Sequence, residues 1–183
     1  MNTITKKPDT NEQFSAVMRI CFDVFEKKFK DYKLSWTILR VSSITDQIFI
    51  KLQRIRSIEE KGEQKIEDSV KSEYIGALNY SIMALLQIDS QKQEITEASV
   101  MKLYKNKFNE AKELLAKKNH DYDEAWRDMR VSSITDLMLM KILRLKQIED
   151  NKVQLIASEG ESANYLDIIN YCVFALIRIG AVE

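Results

Sequence analysis

The chain has 183 residues, with 28 Lys plus Arg against 28 Asp plus Glu, 45% hydrophobic residues, four Gly and one Pro. A chain of this length buries roughly 70% of its unfolded surface in one or two domains, so it needs no disulfide or metal staple. Zero formal net charge excludes a global basic field, and strong nonspecific nucleic-acid binding is not expected. No segment carries a signal-peptide apolar run or the roughly 20 apolar residues of a membrane span, so no membrane partner and a cytoplasmic location are expected. Abundant Leu, Ile, Lys and Glu with few helix breakers predict an all-α protein. Cys21 and Cys172 lie in apolar periodic segments with no second Cys or His at ligand spacing, and read as reduced core residues.

In chain order, residues 1–10 form a polar tail expected to be flexible. Thr10-x-x-Gln13 resembles a capping box, and Phe14, Val17, Met18, Cys21, Val24 and Phe25 then make one stripe of a first helix. A loop with Tyr32 and Trp36 follows. Ser43-x-x-Asp46 is a capping-box-like start for a second helix to about Glu60, and a third helix is predicted from about Asp68 to Ile88.

The pattern then repeats. At an offset of 90, residues 31–60 and 121–150 share 14 identities in 30 positions, including the whole VSSITD run. Chance pairing gives about two. With an offset of 91 the match continues through Tyr74/Tyr165, Asn79/Asn170, Tyr80/Tyr171 and Leu85/Leu176. The chain is an internal duplication: repeat one spans 11–88, a polar linker 89–96, and repeat two 97–181. Repeat two is predicted to hold helices from about Glu97 to Lys118, from the Ser133-x-x-Asp136 signal to Asp150, and from Glu159 to Ile179. Each three-helix copy alone leaves apolar surface open, so the two are expected to pack as one pseudo-twofold helical bundle.

Several polar residues fall where a core is expected. The last helix is apolar nearly all round and therefore reads as buried, yet Asn164, Asp167, Asn170, Tyr171 and Arg178 share a stripe. Repeat one places Glu73, Gly76, Asn79, Tyr80 and Gln87 there. Buried amides and carboxylates need partners, so they pair internally, as an Asn ladder fixing register, or face a ligand. The second helices offer the opposite charge. Lys51 and Arg54, like Lys141 and Arg144, lie one turn apart among apolar side chains. A point cation beside a planar fork suits phosphate oxygens, and equally suits an internal pair with Glu73 or Asp167. Trp36, Trp126, Tyr32 and Tyr122 are candidates to stack a base; a Trp in such a connection also serves to cover a core end. His120, the only histidine, has no triad-like or metal-ligand partner and reads as a surface residue near a helix end. Scattered glycines make no phosphate loop, and neither a zinc site nor a histidine-dependent hydrolase has its residues.

The run KKNHDYDEAWRDMRVSSITD, followed by Lys141, Arg144 and NYLDIINYCVFAL, is similar to the nucleotide-modification-associated domain 1 family in its duplicated bacterial form, over nearly the whole chain. The resemblance implies a nucleotide or modified base as partner. In the family pattern a Gly follows the Asp-Tyr pair, whereas Lys33 and Asp123 stand there in this chain. A more distant likeness is to the all-helical MazG-type nucleotide pyrophosphatases, which hold magnesium with two acidic pairs. That likeness implies magnesium at Asp167 and Glu73. The pairing is incomplete: Glu110 and Glu113, like Asp23 and Glu26, turn to the solvated face, and Asn164 and Gly76 stand where acids are needed.

Two readings stay open. In the first, the protein binds or processes (deoxy)nucleotide phosphates, with Lys51, Arg54, Lys141 and Arg144 on phosphate and Trp36 or Trp126 near the base. In the second, it is a noncatalytic interaction module whose polar stripes are internally satisfied, acting through an exposed helix face or as a homo-oligomer.

Overall fold

The computed structural model describes residues 9–63, 69–151 and 160–182, without the side chains of His120, Asp121, Tyr122 and Asn151. The tail up to residue 8, the expected helix starts at Asp68 and Glu159, and the side chains of Tyr122 and His120 therefore lie outside the described residues. The protein is all-helical: α1 Thr10–Tyr32, α2 Val41–Lys61, α3 Val70–Asp89, α4 Val100–Tyr122, α5 Val131–Asn151 and α6 Glu161–Arg178, with 3-10 turns at Ser35–Ile38 and Ala125–Asp128.

The stripes read from the sequence are the buried faces. Phe14, Val17, Cys21 and Phe25 of α1 and Val100, Tyr104, Phe108 and Ala111 of α4 are almost fully buried. Helices α2, α3, α6 and α5 pack in a closed ring, α2 on α3, α3 on α6, α6 on α5 and α5 on α2. Helices α1 and α4 then cover α3 and α6. Three layers result, and α3 and α6 occupy the middle one. That position explains why α6 is apolar around most of its circumference, since a helix with neighbours on both sides has no solvated face.

The two repeats exchange equivalent contacts, as a twofold axis requires. Asp46 pairs with Lys146 at 2.6 Å, and their counterparts Asp136 and Arg56 pair at 3.6 Å. Thr45 donates to Glu149 at 2.6 Å while Thr135 donates to Glu59 at 3.2 Å. The Tyr165 hydroxyl lies 2.6 Å from Thr45 Oγ1 and also donates to Glu149 at 3.2 Å, and the Tyr74 hydroxyl lies 2.8 Å from Thr135 Oγ1. Burial pushes both phenols well above their ordinary range, which keeps the proton in place.

These contacts correct the capping assignments. Helix α2 starts at Val41 with Arg40 as an N-cap that makes no side-chain bond. Asp46 and Asp136 are therefore cross-repeat ion-pair partners and not box residues. Helix α1 is capped by Asp9, whose carboxylate accepts from Asn11 N at 2.8 Å. Thr10 and Gln13 bind Arg127 instead, at 2.6 and 3.0 Å. Helix α4 starts at Val100, three residues beyond Glu97, because Thr96 and Ser99 bond reciprocally and close a turn first.

Candidate functional site

In repeat one, the C-terminal half of α1, the Trp36 turn, one face of α3 and Lys51 of α2 enclose an open pocket of about 640 Å³. Drug- and nucleotide-sized ligands occupy clefts of roughly 300–1,000 Å³. Six of the residues singled out from sequence line it: Tyr32, Trp36, Lys51, Glu73, Asn79 and Tyr80. Phe25 and Phe29 add aromatic wall, and Lys28 and Lys33 add charge.

The loop that carries Trp36 is fixed from both ends. Lys33 ends α1 at φ 50°, with its N–H donated to the Phe29 carbonyl at 2.9 Å. Asp123 takes φ 47° at the same point of repeat two. A left-handed residue costs about 1–2 kcal/mol for a side chain with a Cβ, so glycine would relieve strain at both positions. At the far end, Gln87 Nε2 donates to the Thr37 and Leu39 carbonyls at 2.8 and 3.0 Å. The stripe residue Gln87 thus positions the loop.

Glu73 is 6% exposed and is held by Arg54 in a short charge-assisted bond and by Lys51 at 3.2 Å. Lys51 reaches it by lying across Gly76: a Cβ there would stand 2.7 Å from Lys51 Cε. The ammonium also sits 5.9 Å from the Tyr80 ring centroid. Asn79 is satisfied on both sides, donating to the Cys21 carbonyl at 3.1 Å and accepting from the Tyr104 hydroxyl at 2.7 Å.

Repeat two builds the same cluster one helical turn along. Asp167, at the position of Gly76, takes Lys141 at 2.8 Å and Lys118 at 2.5 Å, and Asn164 stands where Glu73 does. Each cluster therefore sets two cations around one carboxylate. Arg144, unlike Arg54, is exposed. Asn170 donates to the Ala111 carbonyl at 3.1 Å, the counterpart of the Asn79 to Cys21 bond. The asparagines therefore tie the middle layer to α1 and α4 and form no ladder with each other. Tyr171 is half-buried, and its ring meets Phe174 edge-on at 6.1 Å. Trp126 is 6% exposed and lies flat on Phe174, centroids 4.4 Å apart and planes 4° from parallel, with the Arg127 guanidinium 4.4 Å from the Trp126 ring centroid. At the position of Phe174 repeat one has Met83, and Trp36 is correspondingly less buried.

The carboxylates do not fit a divalent metal. Magnesium needs a near-octahedral set of oxygens, and Glu73 and Asp167 are each held by cationic nitrogens. Among the described residues no group of three or more His, Cys, Asp or Glu converges. Glu110 and Glu113 are exposed on α4, so they do not share Asp167's environment.

The fold and site define a duplicated helical bundle with an aromatic and basic pocket in its first half. A family model described as Nucleotide modification associated domain 1 matches residues 28–88 and 118–179, one stretch in each repeat and together more than half of the sequence. The chain belongs to that family. No curated protein and no solved structure matches it. Among the described residues, no helix is long and apolar enough to cross a membrane.

Proposed function

We propose that the protein binds a nucleotide in the repeat-one pocket. The observation that carries this reading is the pairing of aromatic walls with lysines in one open cavity: Phe29, Tyr32 and Trp36 on one side, and Lys28, Lys33 and Lys51 around it. Bases of any identity stack on aromatic faces, and a phosphate adds to a rim that already holds more cations than carboxylates. Arg54 and Lys51 both hold Glu73, and Lys51 lines the cavity, where its ammonium is placed to meet a phosphate. Glu73, with its position fixed by both cations, is suited to accept a hydrogen bond from a sugar hydroxyl. The family's association with nucleotide modification supports the same ligand class. The reading places no metal on Glu73 or Asp167, which the basic side chains already hold.

A thermal-shift panel of deoxynucleoside mono- and triphosphates tests the reading. A ligand at 100 times its dissociation constant stabilises by about 2.7 kcal/mol. A shift with a nucleotide that free phosphate does not reproduce supports it, and no shift with any nucleotide removes it.

One observation favours the second reading, a noncatalytic interaction module. Glu73, Asp167 and Asn79 all have partners inside the fold. Under that reading Lys51→Met alters stability and leaves every nucleotide response unchanged.

A further inference from the structure

We infer that the two repeats hold one ligand between them, with repeat one the open and repeat two the closed member of a duplicated site, and that the residue at 83 or 174 sets which state each takes. This rests on the nucleotide reading for the identity of the ligand, but the open and closed states stand on the geometry of the two repeats.

Three differences act together. Phe174 gives Trp126 a flat partner at 4.4 Å, and a parallel ring pair in contact leaves no room for a third ring between them. Met83 stands at the equivalent place in repeat one, where it and Trp36 both line the cavity. A thioether chain is narrow and flexible, so it yields to an entering ring. Second, the Arg127 guanidinium lies over the Trp126 ring and is itself anchored to Gln13 and Thr10 of α1. Its counterpart, Thr37, is a short side chain whose hydroxyl turns back to the Leu34 carbonyl at 2.8 Å. Third, Asp167 draws Lys118 and Lys141 together across α6, whereas Gly76 leaves the surface of α3 low under Lys51.

The same chemistry predicts that the closed member can be exchanged. Met83→Phe gives Trp36 the stacking partner that Trp126 already has and fills the cavity from within. Phe174→Met removes that partner in repeat two.

The test reads each tryptophan alone, since the chain has only two. Acrylamide quenching is measured on Trp126→Phe, which reports Trp36, and on Trp36→Phe, which reports Trp126. Trp36 is expected to quench several-fold more steeply than Trp126, and Met83→Phe to bring it down to the level of Trp126. Equal quenching of the two tryptophans, or a folded Met83→Phe protein whose Trp36 quenches as before, overturns the inference. Titration with deoxynucleoside monophosphates then reads the stoichiometry: one per chain, lost in Met83→Phe, is expected, and two per chain overturns it. If acrylamide reaches Trp36 selectively but no nucleotide perturbs it, the open and closed states stand and the nucleotide reading falls.

Discussion

Tyr74 of repeat one and Thr135 of repeat two share a buried hydrogen bond of 2.8 Å, and Tyr165 and Thr45 form its twofold counterpart at 2.6 Å. Both threonines belong to the VSSITD run, so the longest identity between the copies is a joint. Ile44 and Ile134 fill the core, Thr45 and Thr135 reach the opposite repeat's tyrosine and glutamate, and Asp46 and Asp136 close the ion pairs outside.

Removing a threonine hydroxyl while keeping its shape takes a hydrogen-bond partner from a buried phenol and from a glutamate of the other repeat. Thr45→Val and Thr135→Val are each expected to destabilise by about 1–3 kcal/mol in urea unfolding, with Thr→Ser retaining most of the hydrogen-bond contribution. Valine variants as stable as the wild type would show that the joint is held by packing alone.

The copies also differ at one asparagine. Asn79 Oδ1 accepts from Tyr104, but Asn170 Oδ1 is buried without a partner, and the residue matching Tyr104 is Phe14, which has no hydroxyl. Tyr104→Phe should therefore cost about 1–3 kcal/mol, whereas Phe14→Tyr should raise stability or leave it unchanged. Calorimetric unfolding of the two variants checks the asymmetry.

For the Asp167 cluster, the penalty depends on which charge is removed. Asp167→Asn removes the buried carboxylate that Lys141 and Lys118 share and should destabilise the fold. Lys141→Met leaves Asp167 paired with Lys118 and should cost less. The double variant should recover most of the loss, a coupling that a double-mutant cycle in urea measures directly.

Stability should also depend on pH through Glu59 and Glu149. Burial raises both carboxyls above their ordinary range, and the threonine hydrogen bonds, joined at Glu149 by that of Tyr165, offset this only in part. The folded protein thus holds these protons more tightly than the unfolded chain. Their contribution is present below the unfolded carboxyl range and is lost as pH rises through the raised values. A Glu59→Gln, Glu149→Gln double variant is expected to show a flatter stability profile across that window than the wild type.

Much of this architecture is legible in the sequence because it rests on local periodicity. The α1 stripe from Phe14 to Phe25 and the offset that pairs Trp36 with Trp126 give the helices and their duplication. The all-apolar circumference of α6 marks the middle layer. What local pattern misreads is the role of Asp46 and Asp136. Ser-x-x-Asp fits a helix start, and their true partners are 100 and 80 residues away in sequence. The retained set Thr45/Thr135, Glu59/Glu149 and Tyr74/Tyr165 carried that information, since polar residues kept in both copies at buried positions must bond something. The internal pairing of Lys51 with Glu73 and Lys141 with Asp167 was one of the two outcomes that the charges allowed. The open pocket was less visible, because it depends on Met83, Gly76 and Thr37, residues that carry no motif.

Calorimetric titration of the wild type and two tryptophan variants with the four deoxynucleoside monophosphates at low salt tests the binding site most directly. Binding to the wild type, retained in Trp126→Phe and lost in a folded Trp36→Ala protein, is the predicted result. The absence of a binding heat and of competition with any of the four, or equal loss in both tryptophan variants, would contradict a nucleotide site in repeat one.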